Sequence, residues 1–161
     1  MAPRRTEQMS FTQPGQLVAA GLVGVVVVYL LARVGYSELP TLPVFAGATL
    51  LLIAVVEVVL ALVLRPRVLR KPGTEPVESL TAARAVALAK ASSLAGAIMA
   101  GCWLGLLGYL VPMLEVVAAA RQDTVTAIIG LVSAAALVGA GLWLEYVLRN
   151  PDDPDEPDDA E

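Results

Sequence analysis

The chain has 161 residues, of which 57% are hydrophobic and 16% charged, with a mean hydropathy of +0.73. A water-soluble domain of this size is nearer half apolar and a quarter charged, so the composition excludes an ordinary soluble fold. The formal charge of −4 is unevenly spread: the last eleven residues hold seven of the fifteen acids, leaving a body with eleven bases against eight acids.

Residues 1–16 are polar and carry Arg4 and Arg5. The first apolar run, residues 17–32, is long for a signal-peptide core, and no small-x-small cleavage pattern follows it. It reads as an uncleaved helix over residues 13–36. Gly35, Pro40 and Pro43 then punctuate a short break. The second run, residues 44–64, is 21 residues long. That is about 31 Å of helix, enough to cross hydrocarbon. Glu57 is its one charge.

Arg65, Arg67, Arg70 and Lys71 crowd the exit of the second run, and Pro72-Gly73 turns the chain. Glu75, Glu78 and Ser79 suit a helix start, because acids favour the positive end of the dipole and serine caps it. A long helix is expected from Ser79 to Leu110. Its membrane part covers residues 85–111, and its first turns, with Arg84, lie in the cytoplasm. Pro112 stops it. The stretch after Pro112 reads as a short interfacial turn, with Asp123 or Thr124 capping a fourth span over residues 125–148. The last segment, residues 149–161, is acidic and proline-spaced, a composition that builds no core and predicts a disordered tail.

The expected fold is an all-α membrane protein, one domain over residues 1–148, with four transmembrane helices in two consecutive hairpins. Nine bases fall on one side: Arg4, Arg5, Arg65, Arg67, Arg70, Lys71, Arg84, Lys90 and Arg149. Only Arg33 and Arg121 fall on the other. The positive-inside rule places the nine, and both termini, in the cytoplasm of a plasma membrane. Tyr36, Phe45 and Tyr109 then mark the outer interface, and Trp143 and Tyr146 the inner one.

Polar residues inside such spans are costly and normally face protein or water. Glu57, Lys90 and Glu145 all fall in the inner half of the membrane or at its edge. At 100° per residue Lys90 shares a face with Ala97, Gly101 and Gly108, with Gly105 close by. Glu145 continues a stripe through Ala127, Ala134 and Gly141. Small residues at such spacings let helices approach closely. An inner-leaflet cluster is therefore expected, with Lys90 as cation, Glu57 or Glu145 (or both) as anion, and Arg84 and Arg149 nearer water. Glu145 and Arg149 also form an i,i+4 pair. Three readings of the cluster stand: ions that lock helix register, a proton- or cation-handling site, and a Lys90 that snorkels to the headgroups. The small-residue stripes serve packing within the chain or a homodimer or partner interface, for which Ala20-x-x-x-Gly24 is the first candidate.

The chain has no histidine, and Cys102 is its single cysteine. No disulfide within the chain, no conventional zinc or haem site and no other cofactor is expected. Without a nucleophile elbow or a paired aspartate motif, no enzymatic activity is expected either. The expected surroundings are a lipid bilayer and a membrane-protein partner or second copy, with no nucleic acid.

The stretch from Ala82, with Arg84, Leu88-Ala89-Lys90-Ala91-Ser92, Gly96, Gly101 and Gly105, is followed by Gly141-Leu142-Trp143-Leu144-Glu145 and the acidic proline-rich end. This pattern resembles an actinobacterial family of four-span membrane proteins of unknown function, often encoded beside folate-biosynthesis genes. The resemblance supports four spans and carries no catalytic residue over. The function expected is a non-enzymatic accessory or assembly subunit of a membrane complex. The alternative is a small dimeric transporter or ion-coupled carrier that uses the inner Glu and Lys residues.

Overall fold

A computed structural model describes residues 13–36, 44–69, 79–114 and 118–148. Four α-helices account for almost all of them: α1 Pro14–Gly35, α2 Ala48–Val68, α3 Ser79–Leu110 and α4 Ala118–Leu148. All four are long and apolar enough to cross a membrane. Arg4, Arg5, Arg70, Lys71, the Pro72-Gly73 turn, Arg149 and the acidic tail lie outside the described residues.

Helix α1 opens on Pro14 at its first turn, where a missing N–H costs nothing. A short 3₁₀ turn, Val44–Gly47, leads into α2. The basic stretch was expected to end α2 at Leu64. The helix instead continues through Pro66 to Val68. Helix α3 keeps the expected bounds, and Pro112 falls in a 3₁₀ turn, Val111–Met113, at its end. The start of α4 differs from expectation. It begins at Ala118, so Asp123 and Thr124 stand inside the helix rather than capping it. Thr124 satisfies its hydroxyl locally by donating 2.6 Å to the Ala120 carbonyl, a bond that is compatible with continued helix.

The helices pack as a row in the order α1, α3, α4, α2. Only the second consecutive pair, α3 and α4, forms a packed hairpin. Among the described residues α1 and α2 lie at opposite edges, against α3 and α4 respectively. The share of each span that is buried follows the order: 11% for α1 and 22% for α2, against 39% for α3 and 44% for α4.

Small residues make the contacts, since lipid tails are as apolar as the helices and association depends on close backbone packing. A Cβ at Gly24 would lie 2.6 Å from the Ile98 carbonyl oxygen, and one at Gly101 would run into the backbone of Gly21. Gly105 meets Val25 and Tyr29 in the same way, so α1 runs parallel to α3. Ala20-x-x-x-Gly24 therefore spends its glycine inside the chain, on α3, rather than on a partner. On the other side of α3, Gly96 faces Ala134 and Val138, Trp103 lies over Gly130, and Ala89 and Ser93 meet Gly141. This pair is antiparallel. Gly47 abuts Gly130, Ala54 clusters with Leu137 and Ala140, and Ala61 and Leu64 cluster with Leu144, so α2 runs parallel to α4.

Candidate functional site

The interior of the row is mostly alanine and leucine, and its buried polar residues are few. Three of the seven satisfy themselves on their own helix. Ser93 donates to the Lys90 carbonyl at 3.0 Å, Thr126 to that of Gln122 at 3.2 Å, and Ser133 to that of Ile129 at 2.8 Å. A hydroxyl can bond back to its own turn in this way, but a carboxyl has no such recourse.

Glu57 is the residue with both side-chain oxygens in this position, while the buried Trp103 Nε1 and Glu145 Oε2 also lack a hydrogen bond. Glu57 is 1% exposed, and neither Oε1 nor Oε2 has a hydrogen-bond partner. Because α2 runs from Ala48 to Val68, Glu57 stands near its centre, about 14 Å along the axis from its start and about 17 Å from its end, rather than toward one end as expected from residues 44–64. The α2–α4 contacts bracket it, with Ala54 one turn before and Ala61 one turn after. At its level α4 offers Ala140 and Gly141, its smallest side chains. The Ser92 hydroxyl of α3 interacts with the Glu57 carboxyl across that gap, short of a well-aligned hydrogen bond.

The expected pairing of Glu57 with Lys90 does not form. Lys90 on α3 is half-buried, Glu145 on α4 is buried at 6% exposure, and each has interactions of its own. Arg84 is exposed on the first turns of α3, and Arg149 is outside the described residues. The three acidic and basic residues thus share a region of the row without Glu57 joining an ion pair. Of the expected packing residues, Ala97, Gly101, Gly105, Ala134 and Gly141 are buried at interfaces, whereas Gly108 is exposed, and a Cβ there would lie 3.8 Å from the edge of the Tyr29 ring.

A second polar contact was not anticipated. Tyr36, at the end of α1, donates a 2.6 Å hydrogen bond to Oδ2 of Asp123 on α4. Its ring also lies 5.3 Å from that of Tyr109 on α3, tilted by 57°. Burial, and then the Asp123 carboxylate, push the Tyr36 phenol up to about 12. The residue pattern marked Tyr36 and Tyr109 only as an aromatic belt. An aspartate one turn into an apolar helix was the available signal, because it needs a donor.

The residues that carry the row, from α1 to the end of α4, fall within one family, described as a protein of unknown function (DUF3180), whose match covers residues 17–152. The chain belongs to this family. No curated protein and no solved structure matches it. The match includes Glu57, Ser92, Tyr36 and Asp123, so both polar sites lie in the family's own region. Among the described residues no three His, Cys, Asp or Glu side chains converge as a metal site would require.

Proposed function

We propose that the chain is a non-enzymatic subunit of the plasma membrane that works by assembling with a second membrane protein, with both its termini in the cytoplasm. One observation carries this reading. The edge helix α1 turns an exposed apolar face away from α3, made of Leu22, Val23, Val26 and Val27. Valine has a stiff side chain that loses little rotamer freedom on packing, which suits this ridge to a partner's transmembrane helix. The orientation rests on the basic residues: Arg65, Arg67 and Arg84 lie toward the end of the row that the nine-base count assigns to the cytoplasm, Arg33 and Arg121 toward the other. The resemblance to actinobacterial chains encoded near folate genes is an association that names no chemistry.

Co-purification from gently solubilised membranes tests the reading. The wild-type chain is expected to carry a second membrane protein with it, and Val23→Trp and Val26→Trp are expected to release that protein while the chain's own thermal stability stays unchanged. A chain that runs alone or only with itself overturns the reading.

The buried Glu57 carboxyl favours a second reading, a small dimeric ion-coupled carrier. That reading needs water to reach α2. Protection of a cysteine at Ala54 from water-soluble thiol reagents on both sides of the membrane would count against it.

A further inference from the structure

We propose that Glu57, together with Ser92, is an intramembrane proton-binding site. The inference holds whether the chain acts in assembly or as a carrier, because it depends only on what surrounds the carboxyl.

Three observations lead to it. Glu57 stands mid-way along a membrane-spanning helix and is 1% exposed. Neither of its oxygens makes a well-aligned hydrogen bond, and Ser92 supplies the one polar side chain that interacts with it, although hydrogen bonding is nearly universal for buried polar groups. The groups able to neutralise a carboxylate are engaged elsewhere. Lys90 is the cation on α3 and Glu145 the other acid on α4, and neither bonds to Glu57.

The chemistry of the surroundings selects the ligand. A lone carboxylate buried within a membrane-spanning helix lacks the compensation that a buried charge needs. A metal cation would need several oxygen donors, and the helix carbonyls here are committed to their own backbone bonds. A proton needs one. The neutral acid has a single O–H to donate, and the Ser92 hydroxyl across Ala140 and Gly141 is placed to accept it. The two small α4 residues at this level are what allow an α2 side chain to face α3, so the site is a product of the row and not of one helix.

Infrared spectroscopy of the full chain in lipid vesicles at neutral pH reads the site directly. The expected result is a carbonyl stretch of a protonated carboxylic acid that disappears in Glu57→Gln, shifts to lower frequency in heavy water, and moves to higher frequency in Ser92→Ala as its hydrogen bond is lost. Dicyclohexylcarbodiimide gives an independent arm. It adds to a protonated carboxyl in an apolar setting: the acid proton passes to a carbodiimide nitrogen, the new carbon–oxygen bond rearranges to an N-acylurea, and nothing leaves. The adduct is expected on the Glu57 peptide, retained in Glu145→Gln and lost in Glu57→Gln. Absence of any Glu57-dependent acid band, or an adduct confined to Glu145, overturns the proposal. A Glu57 band that does not shift in heavy water also overturns it, since a site that binds protons must exchange them.

Discussion

The phenol of Tyr36 donates a hydrogen bond of 2.6 Å to Asp123, fastening the last turn of α1 to the first turns of α4 across 87 residues of sequence. Hydrogen bonds to ionised groups exceed neutral ones in strength, and this one is only partly buried. Tyr36→Phe is therefore expected to cost about 1 kcal/mol. The pH dependence has a definite sign. The folded phenol is raised to about 12 from an ordinary 10.0. Its contribution is thus fully present below the unfolded value and is lost as the pH rises through the folded one. Thermal unfolding in detergent should show wild type and Tyr36→Phe converging toward pH 12. A constant gap across the alkaline range would contradict this.

The α1–α3 contact is a backbone-to-backbone approach, since a Cβ at Gly101 would run into Gly21. Gly101→Ala must push α1 away, and overpacking of this kind costs about 1–3 kcal/mol. Gly139 on α4 is the control, because it is exposed and nothing lies within 4 Å of a Cβ there. Gly139→Ala is expected to be neutral or to gain about 0.5–1 kcal/mol from helix propensity. Equal midpoints for the two variants would count against the assigned contact.

Removing the Glu57 carboxyl should help the fold. The buried carboxyl has only the Ser92 hydroxyl to offset its desolvation cost, so Glu57→Met is expected to stabilise the chain by about 1 kcal/mol. Thermal unfolding in the same detergent measures it. A large destabilisation would show a bond to Glu57 that the structure lacks.

Much of the architecture was legible in the sequence because a membrane span must be long, apolar and helical. The bounds of α3 follow from Ser79 at one end and Pro112 at the other. Asp123 and Thr124 misled because the same residue types cap helices and, given a tertiary donor or a carbonyl one turn back, sit inside them. That donor is Tyr36, and nothing local announces it. The small-residue stripe on α3 also merged two faces. Gly101 and Gly105 turn to α1, whereas Gly96, Trp103 and Ser93 turn to α4. A helix packed on both sides has no single inward stripe, so Lys90 could not be assigned a partner from spacing alone.

The registers have a consequence in a bilayer. Val25, central in α1, lies opposite Gly105 of α3, while Glu57, central in α2, lies level with Ser92. The two edge helices are thus offset along α3 by about 13 residues, roughly 20 Å. With neighbouring axes about 9 Å apart, both fit one slab of hydrocarbon when the row leans by roughly 35°. The lengths of α3 and α4, 32 and 31 residues, suit such a lean. Polarised infrared dichroism of isotope-labelled α3 carbonyls in oriented bilayers should give a tilt well above the usual ~20°. An upright α3 would contradict the register.

The most direct test of the row is disulfide trapping in native membranes in a Cys102→Ser background. Tyr29→Cys with Gly108→Cys pairs α1 with α3, and Val26→Cys with Val55→Cys probes α1 against α2. The first pair is expected to close within a single chain and the second to remain open. A trapped α1–α2 pair within one chain, with no α1–α3 product, would contradict the arrangement.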